Sequence, residues 1–181
     1  MSIAMEITSA IDAPKPENMP PLMADVFEFW QRLGRDGLVP GWSGFRLDEM
    51  PLRALPWCAV MDVHLDPLDF IYRFFGTARR HMQGREYTGQ SVRSLEPQKF
   101  ADKAFHELRT VYERKAPFHV STVWSADGAQ NANYDILRVP FCGDDNTVTQ
   151  ILTLTIGGPN FHRIYEAYGT QAPLLRSSFN I

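Results

Sequence analysis

Between Arg73 and Arg85 the chain sets Arg73, Arg79, Arg80, His81 and Arg85 within thirteen residues that contain no acid. Guanidinium groups offer planar forks of N–H donors that match carboxylates and phosphates. Side chains of this cluster that turn inward would therefore hold an anionic molecule. Turned outward, they form a solvated basic edge balanced by Glu86 and Glu96. Arg73 has a further use, an ion pair with Asp62 or Asp135. Asp62 and His64 share a face if their segment is a strand, which is the spacing of an acid–base pair or of two metal ligands still short of a third. The chain holds no G-x-S-x-G, H-E-x-x-H, C-x-x-C or phosphate-binding loop. No catalytic set and no metal set is therefore assigned.

These residues sit in a chain of 181, of which 44 % are hydrophobic and 22 % charged. That is one domain of ordinary size with enough apolar residues for a core. Eighteen basic side chains against 21 acidic ones give a net charge of −3, with no general attraction to nucleic acid. No apolar run approaches the roughly 18 residues that span a bilayer, so membrane insertion is not expected. The first ten residues contain Glu6 and no Lys or Arg, unlike the start of a secretory leader. Cys58 and Cys142 fall in separate strand-like segments and read as buried thiols of a reducing compartment, which points to the cytoplasm.

The elements that must position the cluster follow from periodicity. Residues 1–21, crowded by Pro14, Pro16, Pro20 and Pro21, read as a proline-rich mobile or extended arm. Val26, Phe29, Trp30 and Leu33 repeat at helical spacing and predict a helix over 21–33, with Gly34 as its stop. Their aromatic stripe must be buried against the domain itself or against a partner. Residues 57–65 and 70–75 read as a strand hairpin turning at Asp66-Pro67, and 77–83 as a short helix. The clearest helix is 97–114, whose Phe100, Ala101, Ala104, Phe105, Leu108, Val111 and Tyr112 fill one arc of about 140°. Three strands, 118–125, 134–142 and 147–156, precede a helix beginning near Asn160. Residues 22–159 thus form one α+β domain with a five-stranded antiparallel sheet, helices on one face and an extra N-terminal helix, and 160–181 a C-terminal helix and tail.

The order of two strands, short helices, one long helix and three strands resembles that of a PAS domain. The residues sharpen the likeness. Asp69-Phe70-Ile71-Tyr72-Arg73-Phe74-Phe75-Gly76-Thr77 followed by Gly84-Arg85-Glu86-Tyr87-Thr88-Gly89 is similar to the paired RYRLxGT and GRxxTG signature of a PAS family common in alphaproteobacteria. The preceding Leu55-Pro56 and Asp62-Val63 match its LP…DV segment. The resemblance covers roughly residues 27–157. One departure stands in the loop after the first helix, where Pro40-Gly41-Trp42-Ser43-Gly44 replaces the family's arginine and aspartate.

The resemblance implies a sheet wrapped over a cavity walled by the short helices and the long helix. It also implies a sensory role or a docking role, between which fold cannot choose. On this basis Tyr72, Arg73, His81, Arg85, Tyr87, Phe105 and Trp124 are the expected ligand-binding residues. Val26, Phe29, Trp30 and Leu33 are the expected surface of a homodimer. The ligand is unknown. Haem ligation through the long helix is not expected, because His106 lies about 240° from Phe100, opposite the apolar arc. His81 is better placed, although a solvated histidine at a helix end is its simpler role. Covalent flavin chemistry is not expected either, because both cysteines lie in strands rather than in a short helical motif. The leading expectation is a non-enzymatic bacterial PAS sensor that binds a small molecule and signals by protein contact. Its rivals are a ligand-free docking module and a small isomerase working through a buried Asp62 or Asp135.

Overall fold

The computed structural model describes residues 5–35, 37–96, 98–126, 132–158 and 161, with backbone alone for 5–10 and 124–126. In chain order the elements are β1 (Met5–Asp12), α1 (Pro21–Leu33), β2 (Cys58–His64), β3 (Asp69–Phe75), α2 (Thr77–Gln83), α3 (Gln98–Arg114), β4 (Phe118–Ala126), β5 (Ala132–Cys142) and β6 (Val148–Gly157). The order from β2 to β6 is the one expected from the resemblance, and the fold is α+β with an antiparallel sheet. The helix expected near Asn160 lies outside the described residues.

All ladders of the sheet are antiparallel, in the order β1-β4-β5-β6-β2-β3. Among the described residues the sheet therefore has six strands, not five. The additional strand comes from the proline-crowded segment: β1 pairs with β4 from Met5 opposite Ala126 to Asp12 opposite His119. At the other edge, the signature loop covers β3. Tyr72 N–H donates to Gln90 O (2.9 Å) and Gly89 N–H to Tyr72 O (2.7 Å). Glu86 shapes that loop by accepting from the amide of Thr88 at 2.9 Å and from its hydroxyl at 2.7 Å. Gly89 has φ +80°, which suits glycine.

Alternate residues of the central strands are buried on both faces of the sheet, because helices cover both. On one face α1 and the short 3₁₀ turns 42–44, 47–49 and 52–57 pack on Val60, Leu137, Val139, Phe141, Leu152 and Leu154. On the other, α3 packs on Met61, Phe70, Tyr72 and Ile151. The helix expected over 21–33 has those limits, with Pro21 in its first turn and Gly34 N–H closing on Trp30 O at 3.3 Å.

The expected dimer stripe is corrected here. Val26 and Trp30 are buried in the domain's own core, and Trp30 Nε1 donates to Pro140 O at 2.8 Å. Phe29 and Leu33 are partly covered by the same core. The aromatic stripe is consumed because β5 and β6 present an apolar second face, which a sheet with helices on one face alone would leave to solvent.

Candidate functional site

The side chains that can do chemistry converge between β5, β6, α2 and α3. Arg138 stands on β5 directly opposite Thr153 of β6, and Ile136 opposite Thr155. Glu107 projects from α3 and is 2 % exposed. Arg138 donates to Glu107 Oε2 through Nε (3.0 Å) and Nη2 (2.6 Å), and to Thr153 Oγ1 through Nη1 (2.8 Å). Lys103, one turn earlier on α3, pairs with the other oxygen of Glu107. Burial pushes the Glu107 carboxyl up, but the charges of Arg138 and Lys103 outweigh it and hold it below the usual carboxylate range. Glu107 is therefore an anion at neutral pH.

Arg79 reaches the same region from α2, a helix aimed by Gly76. That glycine's N–H donates to Cys58 O at 2.8 Å. A Cβ at Gly76 would meet the carbonyl oxygens of Pro56 and of Leu55, the latter at 2.6 Å. Only glycine lets α2 begin so close to the 52–57 turn. Arg79 is 7 % exposed, donates from Nη1 to Thr155 Oγ1 (2.9 Å), and lies over the Phe75 ring at 5.2 Å.

These groups border a cavity of about 60 Å³. Its polar wall is Arg79, Gln83, Lys103, Glu107, Arg138 and Thr155. Its apolar wall is Met82, Leu95, Phe100, Ile136 and Phe161, with Tyr134 between the two walls. Gln83 Oε1 is buried and has no hydrogen-bond partner among the described residues.

Among the described side chains, none of the residues expected to bind a ligand lines this cavity. Tyr72 and Tyr87 are brought together, 6.0 Å between ring centres, but inside a closed aromatic core with Phe75. Burial pushes the Tyr72 phenol up, with Arg79 and then Arg138 pulling against it. Phe105 packs edge-on against Phe70, with Arg93 over its face at 3.6 Å. Arg73 is on the opposite face of the sheet, where its Nε donates to Asp62 Oδ1 (2.7 Å) and its guanidinium lies over Trp42. Arg85 is exposed, stacked over Tyr87 and 3.7 Å from Glu96, and Arg80 is 3.8 Å from Glu86. Those two form the balanced basic edge, and His81 is exposed beside them. The backbone of Trp124 lies in β4 opposite Ile7 and Ala132, and its side chain lies outside the described atoms. Of the basic cluster, Arg79 alone reaches the cavity, because a short helix turns one side chain in three or four inward.

Asp62 and Asp135 are also away from the cavity. Asp62 accepts from Arg73 and Gln150, and Asp135 is 2.8 Å from His119 Nε2. His64 is exposed. Among the described residues no three His, Cys, Asp or Glu side chains converge, and no helix is long and apolar enough to cross a membrane.

Among the described residues, no histidine or cysteine lines the cavity. Cys58 is on the sheet face toward α1, Cys142 ends β5, and His106 is exposed. Burial pushes the Cys58 thiol up to about 12, against a smaller downward pull from Arg79.

No family model matches the chain, and no curated protein matches it. Among solved structures it is similar to an isoleucine-to-valine variant of Vivid, at 13 % identity over 78 % of this chain and 95 % of that one, with a TM-score of 0.42. The light-state dimer of Vivid, a fungal blue-light photoreceptor, gives 13 %, 77 %, 95 % and 0.41. An RNA-binding light-oxygen-voltage receptor gives 14 % identity over 94 % of this chain and 42 % of that one, with a TM-score of 0.40. A likeness at these scores carries no argument about cofactor or activity.

Proposed function

We propose that this chain is a PAS-type sensory domain that binds a small molecule between its sheet and α2/α3 and passes its occupancy to a protein partner. The observation that carries this reading is the buried ion pair of Glu107 and Arg138 at the cavity wall, which ties α3 to β5 where a bound molecule would touch both. Two residues along β5, Pro140 O accepts the Trp30 hydrogen bond from α1 on the opposite face. One strand thus links the cavity to the outer helix. A molecule that binds better to one arrangement of this clamp shifts the population toward it.

The reading places the domain in the bacterial cytosol, within the alphaproteobacterial family its signature resembles, and the two buried thiols suit that compartment. It includes a homodimer, now resting on the partly exposed Phe29 and Leu33 rather than on Val26 and Trp30.

Native mass spectrometry of freshly purified protein, beside spectra of the denatured chain, tests the sensory role. Extra mass that leaves on unfolding supports it. Bare chain mass, together with no rise in melting temperature across a metabolite panel, overturns it in favour of a ligand-free docking module. The same spectra report the dimer: a monomer mass for the wild type, or a dimer mass unchanged by Phe29→Glu, rejects the dimer surface.

A further inference from the structure

Resting on the sensory reading above, we infer that the pocket between β5, β6, α2 and α3 takes an uncharged aromatic molecule bearing one O–H or N–H donor. The pocket opens to solvent on one side, so the chemistry of its lining, and not an enclosed volume, selects the ligand. Three features of that lining do so. The first is an unfilled acceptor. Gln83 Oε1 is shut off from solvent and has no hydrogen-bond partner among the described residues. A buried acceptor without a donor is unfavourable by the hydration it has lost. Gln83 ends α2 and lines the pocket. Its terminal amide turns about a soft torsion, which brings the oxygen within reach of a donor seated there.

The second feature is that the charged groups of the wall already hold one another. Both oxygens of Glu107 are taken, one by Lys103 and the other by Arg138. Arg138 also holds Thr153, while Arg79 holds Thr155 and lies over the Phe75 ring. A charged ligand of either sign would compete with these bonds and give up its own hydration besides. An uncharged ligand leaves the network intact. The third feature is the apolar part of the lining, where the rings of Phe100, Tyr134 and Phe161 stand beside Met82 and Ile136. Tyr134 and Phe161 are 5.3 Å apart between ring centres and tilted by 49°. Rings so disposed pack a further ring edge-on or offset, which favours an aromatic body over an aliphatic one.

A ligand held in this way joins α2 to α3 and β5 through Gln83, Phe100 and Ile136. Its hydrogen bond falls where α2 ends at Gly84, whose φ of +67° turns the chain into the loop that covers β3. Occupancy therefore bears on that loop as well as on the Glu107–Arg138 clamp.

Calorimetric titration of the full chain with phenol, anisole, cyclohexanol and benzoate tests the inference. Phenol is expected to bind about fivefold more tightly than anisole, which lacks the donor. It should exceed cyclohexanol, which lacks the aromatic ring, by about threefold, and benzoate by at least about tenfold. Gln83→Leu is expected to erase the preference for phenol over anisole. It should leave the melting temperature of the empty protein unchanged or higher, because it removes an acceptor that has no donor. Ala104→Trp, at a partly exposed position of the lining, is expected to abolish phenol binding. Anisole equal to phenol overturns the donor, cyclohexanol equal to phenol overturns the aromatic body, and benzoate equal or tighter overturns the uncharged class. A preference for phenol that survives Gln83→Leu, or phenol binding that survives Ala104→Trp, overturns the site. A lower melting temperature for empty Gln83→Leu assigns the oxygen a structural partner and overturns it as well. If phenol does not bind, the inference falls, and the native spectra decide the rest: a different bound molecule leaves the sensory reading standing, and bare protein removes both.

Discussion

Replacing Glu107 by leucine removes the partner of a guanidinium that is itself only 5 % exposed and leaves Arg138 with Thr153 alone. Removing one member of a buried pair costs about 3–5 kcal/mol, because the other charge remains desolvated and uncompensated. For a domain of this size each kcal/mol shifts the melting temperature by roughly 2–4 °C. Glu107→Leu should therefore lower it by about 6–20 °C. The double variant Glu107→Leu with Arg138→Leu removes both charges and fills the space with carbon. It should return to within about 1 kcal/mol of wild type, since apolar replacements of buried pairs are often neutral or better. Lys103 survives the change because its stem is long enough to carry its ammonium to water. Urea unfolding of the wild type, the two single variants and the double variant closes the cycle. A single-variant cost below about 1 kcal/mol, the scale of an exposed ion pair, would refute the claim that this clamp is buried and strong. So would simple additivity of the two single effects, which marks residues that do not interact.

The same carboxylate gives the stability a pH dependence. Its folded pKa lies below the ordinary 4.5, so its contribution is fully present above that value and is lost as pH falls through the depressed folded one. Wild type should lose stability below pH 4.5 more steeply than the double variant, and parallel pH curves would count against the ion pair. Gly76→Ala should cost more than about 2 kcal/mol, because its methyl group meets backbone oxygens and not a side chain that can step aside. Chemical denaturation checks this, and a cost under about 0.5 kcal/mol would show that α2 can back away from the 52–57 turn. Cys58, whose thiol is pushed up to about 12, should react with a disulfide reagent at neutral pH only as fast as the protein opens. Labelling as fast as a free thiol would contradict its burial.

The parts of the fold legible in the sequence were those with strong periodicity or a turn residue whose job is local. The helix over 21–33, the hairpin of β2 and β3, and α2 between two glycines were all read from such signals. β1 was hidden because the prolines after it dominate its segment. Yet Met5, Ile7 and Ile11 alternate with Glu6, Thr8 and Asp12, the period of a strand. The site was less legible, and for a physical reason. The basic cluster around Arg79 announced itself by density, but a dense run on a short helix and loop is mostly surface. The informative charges were the isolated ones. Arg138 stands alone in the apolar run Ile136-Leu137-Arg138-Val139-Pro140-Phe141, and Glu107 lies about 20° from Phe100 on the helical wheel, at the margin of the buried arc. A lone charge in an apolar context must find a partner, and that rule would have joined these two. The signature residues of the second motif proved to be architectural: Glu86 and Gly89 shape a loop that seals a sheet edge.

The pairing of β1 with β4 has a consequence for how the molecule is made. Met5 meets Ala126, and Asp12 meets His119, so β1 lacks its ladder partner until more than half of the 181 residues have followed it. Closing so long a loop is entropically slow. β1 is thus among the last strands to be placed, onto a sheet whose β2–β3 hairpin can form from neighbouring residues alone. Until then the outer edge of β4 stands as an open template, and for that interval the nascent protein is most exposed to strand exchange with another copy of itself.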